Sequence, residues 1–294
     1  MLLTTTLLSS LLPLALALPQ QIPLFAAAPT SSSLQHATWL SVQLGVMSRC
    51  PDAHLCEALF DRVLEQRVTV LPGEGGDGRN GNKTREVTVL ARELIDLSAV
   101  YIAKLNSSSP DGATCMHGEL ECRGSVQQLC AAHYWNEREK EEEEEEEEEE
   151  MWPGWGKKGG NGEGRRRERK KEGWEDWWNF IQCLNYGETS SIGTDAKARE
   201  CAKVVNREWK GDVSSCVDSS LGRDLLVKSV KEAERLEVSK SCTVLIEGKQ
   251  VCIHDSTWKS CPAGHEPADF ARLIKEGWER KNGRGGRERE EDDE

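Results

Sequence analysis

From Trp39 onward the chain alternates: Leu40, Val42, Leu44 and Val46 are apolar at every second position, the period at which a strand returns its side chains to one face. Cys50-Pro51-Asp52 interrupts the run. Residues 53–66 then change to helical spacing, with Leu55, Leu59, Val63 and Gln66 on related faces. The reading is a strand, a cysteine-proline turn and a helix. A glycine-rich loop follows at 72–81, and 97–104 reads as a second strand around Val100 and Ile102. Turn chemistry at 106–113 leads into a cysteine-dense segment, 115–130. Further on, Trp177, Phe180, Ile181 and Leu184 form a helical stripe that stops at Asn185-Tyr186-Gly187. Helices are predicted at 194–209 and 221–238. A hairpin is predicted at 243–246 and 251–253, turning through Gly248. A closing helix, 267–280, starts on Pro267 and carries Leu273, Ile274 and Trp278.

The order strand, helix, strand, helical insert, hairpin, helix matches a thioredoxin-like α/β sandwich with an inserted helical, disulfide-containing region. Not all 294 residues join it, because only 37% are apolar. Residues 136–173 hold 15 acidic and 10 basic residues, including ten consecutive glutamates, and 287–294 hold six acidic and two basic. Nine of the thirteen excess negative charges therefore belong to appendages, and the rest of the chain is only mildly acidic. A nucleic-acid partner, which needs a basic surface to displace counterions, is disfavoured. The segments expected are a signal peptide at 1–17 and a linker at 18–37, followed by the first part of the α/β domain at 38–135. An acidic low-complexity insertion covers 136–173. The helical insert and second part of the domain span 174–280, and a charged tail covers 281–294.

Eleven cysteines suit an oxidising compartment. Eleven is odd, so at most five intrachain bridges form and at least one thiol is left over. The first 18 residues lack charged side chains, and Ala15-Leu16-Ala17 offers the small-x-small pattern of a signal-peptidase site. The polar Gln20 and Gln21 arrive too early for a spanning helix, so no stable membrane span is expected. Sequons at Asn82 and Asn106 fit passage through a secretory pathway. The destination expected is extracellular or a lysosome- or vacuole-like compartment.

The most specific string runs from Cys115 to Cys130: CMHGELECRGSVQQLC. It resembles the signature of the gamma-interferon-inducible lysosomal thiol reductase (GILT) family, C-Q-H-G-x2-E-C-x2-N-x4-C. Cys115, His117, Gly118, Glu121, Cys122 and Cys130 match in identity and spacing, whereas Met116 replaces Gln and Ser125 replaces Asn. Residues 178–183 (WNFIQC) look like the family's helix after the signature, and Cys201 and Cys216 resemble the paired cysteines of its helical insert. The resemblance implies a thioredoxin-like fold and reduction of disulfide-containing protein substrates in an acidic compartment, with a small thiol as reductant. Two departures stand out. Family enzymes carry C-x-x-C after the first strand, whereas here Cys50-Pro51-Asp52 is followed by Ala53, and the next thiol is Cys56. Thioredoxin-like enzymes also place a cis-proline near Lys240-Ser241-Cys242-Thr243-Val244, which contains no proline.

A thiolate at a helix N-terminus meets unpaired backbone N–H groups and the positive end of the dipole. Cys50 is therefore the candidate nucleophile, with a protonated His54 favouring the anion and Asp52 opposing it. Attack on a substrate disulfide forms a mixed disulfide that a second thiol must resolve. Cys56 is the candidate for that role, with an external small thiol as the other route. A helical Cys50 would stand about 9 Å from Cys56 along the axis, so the two bridge only if Cys50-Pro51-Asp52 is a loop ahead of the helix. The bland alternative makes the two cysteines a structural bridge and the protein a non-catalytic, disulfide-stabilised binding module on the same fold. A third option is a binder that forms mixed disulfides without turnover. For His117 and Glu121 the favoured role is ordering of their loop. Cys115, His117, Cys122 and Cys130 have zinc-ligating chemistry but lack the C-x2–4-C knuckle, so no metal is expected. No cofactor fingerprint is present.

Overall fold

Strand β1 (Leu40–Val46) lies inside a five-stranded mixed sheet and feeds helix α1 (Pro51–Leu64) through a short turn. These elements come from a computed structural model that describes Leu34 and residues 37–71, 86–135 and 174–283. The expected signal peptide, nearly all of the linker, the loop with Asn82, the acidic insertion and the chain beyond Gly283 lie outside those residues. A hairpin of β2 (Arg67–Val70) and β3 (Val87–Leu90) follows α1, then β4 (Ile95–Tyr101) and a two-residue ladder of β5 (Lys104–Leu105) with β6 (Ala113–Thr114). The helical region comprises α2 (Glu119–Trp135), α3 (Glu175–Asn185), α4 (Asp195–Val204), α5 (Asp212–Val217) and α6 (Ser220–Arg235). The chain returns through β7 (Thr243–Ile246), β8 (Lys249–Asp255) and β9 (Thr257–Lys259), and closes with α7 (Pro267–Asn282).

The main sheet has the order β4-β1-β7-β8-β9. β1 runs parallel to β4, with Leu40 opposite Ile95 and Val46 opposite Tyr101. It runs antiparallel to β7, with Leu44 opposite Val244, and β8 and β9 continue the antiparallel half. Alternation then decides the layers. The face of Leu40, Val42, Leu44 and Val46 carries α7 and α1. Gly277 of α7 packs against Leu40, and Phe60 of α1 meets Phe270 of α7 at a ring separation of 5.2 Å. The opposite face carries the end of α6. Gly45 is required there, because a Cβ would overlap the Cγ1 of Val238. Val100, Ala233, Val238 and Leu245 form a small cluster on that side. Burying each large apolar side chain contributes about 2 kcal/mol, and Trp278, Phe60, Phe180 and Phe270 are all at most 1% exposed.

Several expectations shift. α1 begins at Pro51, not at 53, with Cys50 as its N-cap residue. Its buried side is Ala53, Cys56, Glu57, Leu59, Phe60, Val63 and Leu64, so Leu55, expected on the apolar stripe, is 61% exposed. The second strand begins two residues early, at Ile95, and ends at Tyr101. The helix predicted at 194–209 stops at Val204, where the chain turns through Asn206 at φ 57° and Gly211 at φ 62° before α5. The closing helix runs on to Asn282, into the first residues of the expected tail.

Candidate active site

All eleven cysteines lie within the described residues, and ten are bridged. Cys50 is the free one, as the odd count requires. It holds an extended conformation (φ −80°, ψ 126°) between β1 and Pro51, and its carbonyl accepts from the His54 N–H at 3.2 Å to start the helix. Its thiol donates to the backbone carbonyl of Ser241 at 3.9 Å. Ser241 is itself fixed at the end of β1, because its hydroxyl accepts from the Met47 N–H at 3.0 Å. The Ser241–Cys242 peptide bond is cis, although no proline is present. The thiol thus rests where α1 begins and where the chain enters β7, at 7% residue exposure.

Cys56 does not pair with Cys50. It is bonded to Cys242, with their Cα atoms 6.1 Å apart. The reason is the helix start: with Pro51 already helical, six residues of rise hold Cys50 and Cys56 about 9 Å apart along the axis, beyond disulfide reach. Cys56 instead points from the buried side of α1 onto the sheet, where Cys242 precedes β7. Ala53 fills the position of the missing second thiol and is fully buried. Cys242 is the residue that reading the sequence missed. Its signal is its place, since it stands in the stretch where a thioredoxin-like chain carries its cis-proline.

The signature segment docks directly in front of this turn. Ser48 donates to the Glu121 carbonyl at 2.8 Å. Arg49 donates to the carbonyls of Thr189 at 3.1 Å and His117 at 3.5 Å. Within the segment, the Glu121 carboxylate, fully buried at the start of α2, accepts from the His117 N–H at 3.1 Å and pairs with the His117 ring at Nδ1. Gly118 turns the loop at φ 88°, a conformation that disfavours other L-residues. His117 and Glu121 therefore hold the loop in shape, and the loop holds the two residues before Cys50.

The bridges replace any zinc reading: Cys115 is bonded to Cys122, and Cys130 to Cys216, so none offers a thiolate. Cys201 and Cys216, which resembled a pair, belong to different bridges. Cys201 of α4 joins Cys183 of α3, Cα atoms 5.4 Å apart, and Cys216 of α5 reaches back to α2. The fifth bridge, Cys252–Cys261, ties β8 to the chain just after β9, nine residues further on. Asn106 is exposed, and its amide donates to Thr114 Oγ1 at 2.9 Å.

Three ionisable groups surround the start of α1. Asp52, expected to oppose a thiolate, is engaged elsewhere: one carboxylate oxygen accepts from the Ser256 N–H at 2.9 Å and lies 2.7 Å from His254 Nδ1. His54 offers Nε2 to the Ser48 carbonyl at 3.1 Å, and burial pushes its pKa below the usual histidine value despite that bond. It is therefore a weaker source of positive charge than its sequence position suggested. Glu57 is a third group, one that sequence reasoning missed, though it falls one helical turn after Ala53 on the buried side. Burial pushes its carboxyl up to about 8, against the Asn185 amide that donates to it at 2.6 Å. Tyr101, at the end of β4, is also pushed up, first by burial and then by Glu57, and its hydroxyl donates to Gln128 at 2.5 Å.

No helix among the described residues is long and apolar enough to cross a membrane. Set beside known proteins, residues 41–145 match the family model described as gamma interferon inducible lysosomal thiol reductase (GILT). That span runs from β1 through the Cys50 turn and the whole signature. Among curated proteins nothing matches.

Proposed function

Since residues 41–145 match the GILT family model, we propose that the chain is a thiol–disulfide oxidoreductase that reduces protein disulfides through a mixed disulfide at Cys50. The observation that carries this reading is the placement of the one free thiol. Of eleven cysteines, only Cys50 is unbonded, and it sits at the N-terminus of α1 with its sulfur against the Ser241 carbonyl. Unpaired N–H groups at a helix start favour the anion that attacks a disulfide sulfur. A thioredoxin-like fold is part of the proposal. Its support is the β4-β1-β7-β8 order, the parallel β1–β4 pair crossed by α1, and the antiparallel return followed by α7. The setting proposed is an acidic or secretory compartment, lysosome-like or extracellular, to which five bridges are suited. The substrate is a disulfide-containing polypeptide, and a small thiol supplies the electrons.

The test is reduction of a denatured, disulfide-bonded protein in mildly acidic buffer with excess small thiol. The wild-type protein accelerates it, and Cys50→Ser brings the rate down to that of the thiol alone. Equal rates for the two proteins would sink the reading.

One observation favours a second reading. Ala53 occupies the place of the usual resolving thiol, and Cys56 is committed to Cys242, so the fold also suits a non-catalytic module that binds proteins. In that case Cys50→Ser leaves binding intact and no mixed disulfide is trapped at Cys50.

A further inference from the structure

The two departures from the family pattern fall on one spot. A thiol is missing at position 53, and one is present at position 242, within the stretch where thioredoxin-like enzymes place a cis-proline. Cys242 is separated by a single peptide bond from the Ser241 carbonyl that the Cys50 thiol touches at 3.9 Å. Its disulfide partner, Cys56, lies six residues further along α1 than Cys50. Cys242 is therefore the residue linked to both: its sulfur is bonded to Cys56, and its backbone follows the carbonyl that the Cys50 thiol touches. Exposure is graded in the same sense: Cys50 retains 7%, whereas Cys56 and Cys242 have none.

The geometry points to Cys242 as a relocated resolving thiol, linking Cys50 to Cys56 in a three-cysteine relay. The inference rests on the reductase reading and adds the path taken by the electrons. In the reduced protein all three are thiols. The Cys50 thiolate attacks one sulfur of the substrate disulfide, which joins Cys50 to one half of the substrate and expels the other half as a thiolate that takes up a proton. The Cys242 thiolate then attacks the Cys50 sulfur, releases the second half of the substrate as a thiol, and leaves a Cys50–Cys242 disulfide. Finally the Cys56 thiolate attacks the Cys242 sulfur and expels Cys50 as a thiolate. The net exchange is two electrons: one substrate disulfide becomes two thiols while two protein thiols become the Cys56–Cys242 disulfide. The arrangement in the structure, with Cys50 free and Cys56 bonded to Cys242, is the oxidised end of this sequence. Recharging runs it backwards. Cys50 opens the inner bridge at Cys242, a small thiol attacks Cys50 in the resulting Cys50–Cys242 disulfide, and a second small thiol releases Cys50, leaving as a small-molecule disulfide.

The relay requires something that a merely structural Cys56–Cys242 bridge does not. An external thiol reaches the inner bridge through Cys50, not directly. The decisive comparison is wild type against Cys50→Ser, which keeps all five bridges. Each is exposed to a small monothiol, quenched in acid and alkylated, and Cys56 and Cys242 are followed by peptide mapping. In the wild type the inner bridge opens, and in Cys50→Ser it opens slower by roughly tenfold or more. Equal opening in the two proteins overturns the relay. A second variant, Cys56→Ser, is reduced and then given one equivalent of a disulfide-linked peptide. It is expected to stop at Cys50–Cys242. If Cys50 carries the peptide while Cys242 stays alkylatable, the relay falls and the reductase reading stands. If no mixed disulfide with Cys50 ever forms, both fall together.

Discussion

The sulfurs of the helical region and those at the start of α1 are organised differently, and the contrast sets a fully bridged scaffold against the turn where the chemistry is proposed. From the signature through α5, each bridge joins neighbours that already pack: the signature loop to α2, α2 to α5, and α3 to α4. Six sulfurs make three bonds, and nothing is left over. At the start of α1, three sulfurs share one bond, and the bonded pair is the one most remote in sequence, 186 residues apart. Complete pairing fixes a shape. Incomplete pairing leaves a thiol one residue removed, through the Ser241 carbonyl, from a bonded cysteine. The family signature lies on the complete side, yet its contacts through Ser48 and Arg49 reach the residues immediately before Cys50. These contacts hold the turn in place.

The largest effect that would sharpen this contrast is on stability. Cys216→Ser removes the α2–α5 bridge, strands Cys130 in the core, and should cost about 2–5 kcal/mol in thermal or denaturant unfolding. Cys50→Ser breaks no bridge and should cost only about 1 kcal/mol by the same measure while removing activity. A large loss of stability in Cys50→Ser would erase the distinction.

A second prediction concerns pH. The folded chain holds the proton of Glu57 up to about pH 8, whereas the unfolded chain releases it near the ordinary value of 4.5. Between those limits the unfolded state binds fewer protons, so stability is greatest below about 4.5 and falls as pH rises toward about 8. The loss amounts to a few kcal/mol, because each pH unit crossed inside that window removes about 1.4 kcal/mol. Glu57→Gln should flatten the slope across that window, as followed by denaturant midpoints at several pH values. An unchanged slope in the variant would place the pH dependence in other groups.

The smallest effect expected is at the signature. Glu121→Gln weakens the hold on the His117 ring while keeping the side chain's volume. The cost should be about 1–2 kcal/mol, with faster amide exchange at His117 and Gly118. If Glu121→Gln abolishes reduction while the fold and the loop's exchange rates stay unchanged, the signature belongs with the chemistry after all.

How far the sequence reaches follows from range. β1 was legible because alternation is a local property, and so was α7, which opens on Pro267 and repeats its apolar residues at helical spacing. The loop-ordering part expected of His117 and Glu121 was legible too, since the two lie only four residues apart, whereas Gly118 entered only as a match to the signature. Parity alone required a spare thiol. Leu55 was misplaced because α1 turns its buried side toward Ala53, Cys56 and Phe60, which leaves Leu59 at the edge and Leu55 past it. The β2–β3 hairpin was hidden because its strands are four residues each and 16 positions separate Val70 from Val87. The Cys56–Cys242 bond was out of reach for a different reason. A cross-link over 186 residues depends on the register of β7 against β1, which no local pattern encodes.

That long cross-link has a consequence for how the molecule is made. A polypeptide grows from its N-terminus, so wherever this one is oxidised during synthesis, Cys50 and Cys56 emerge together and wait for Cys242. The bridges Cys115–Cys122, Cys130–Cys216 and Cys183–Cys201 all lie within the interval. Two thiols on adjoining turns of an unformed helix are each other's nearest partners during that wait, and only the formed helix keeps them apart. A bridge between Cys50 and Cys56 formed in that interval would have to be exchanged before Cys242 could be joined, so early winding of α1, which Pro51 favours at the first position of the helix, works toward the native pairing.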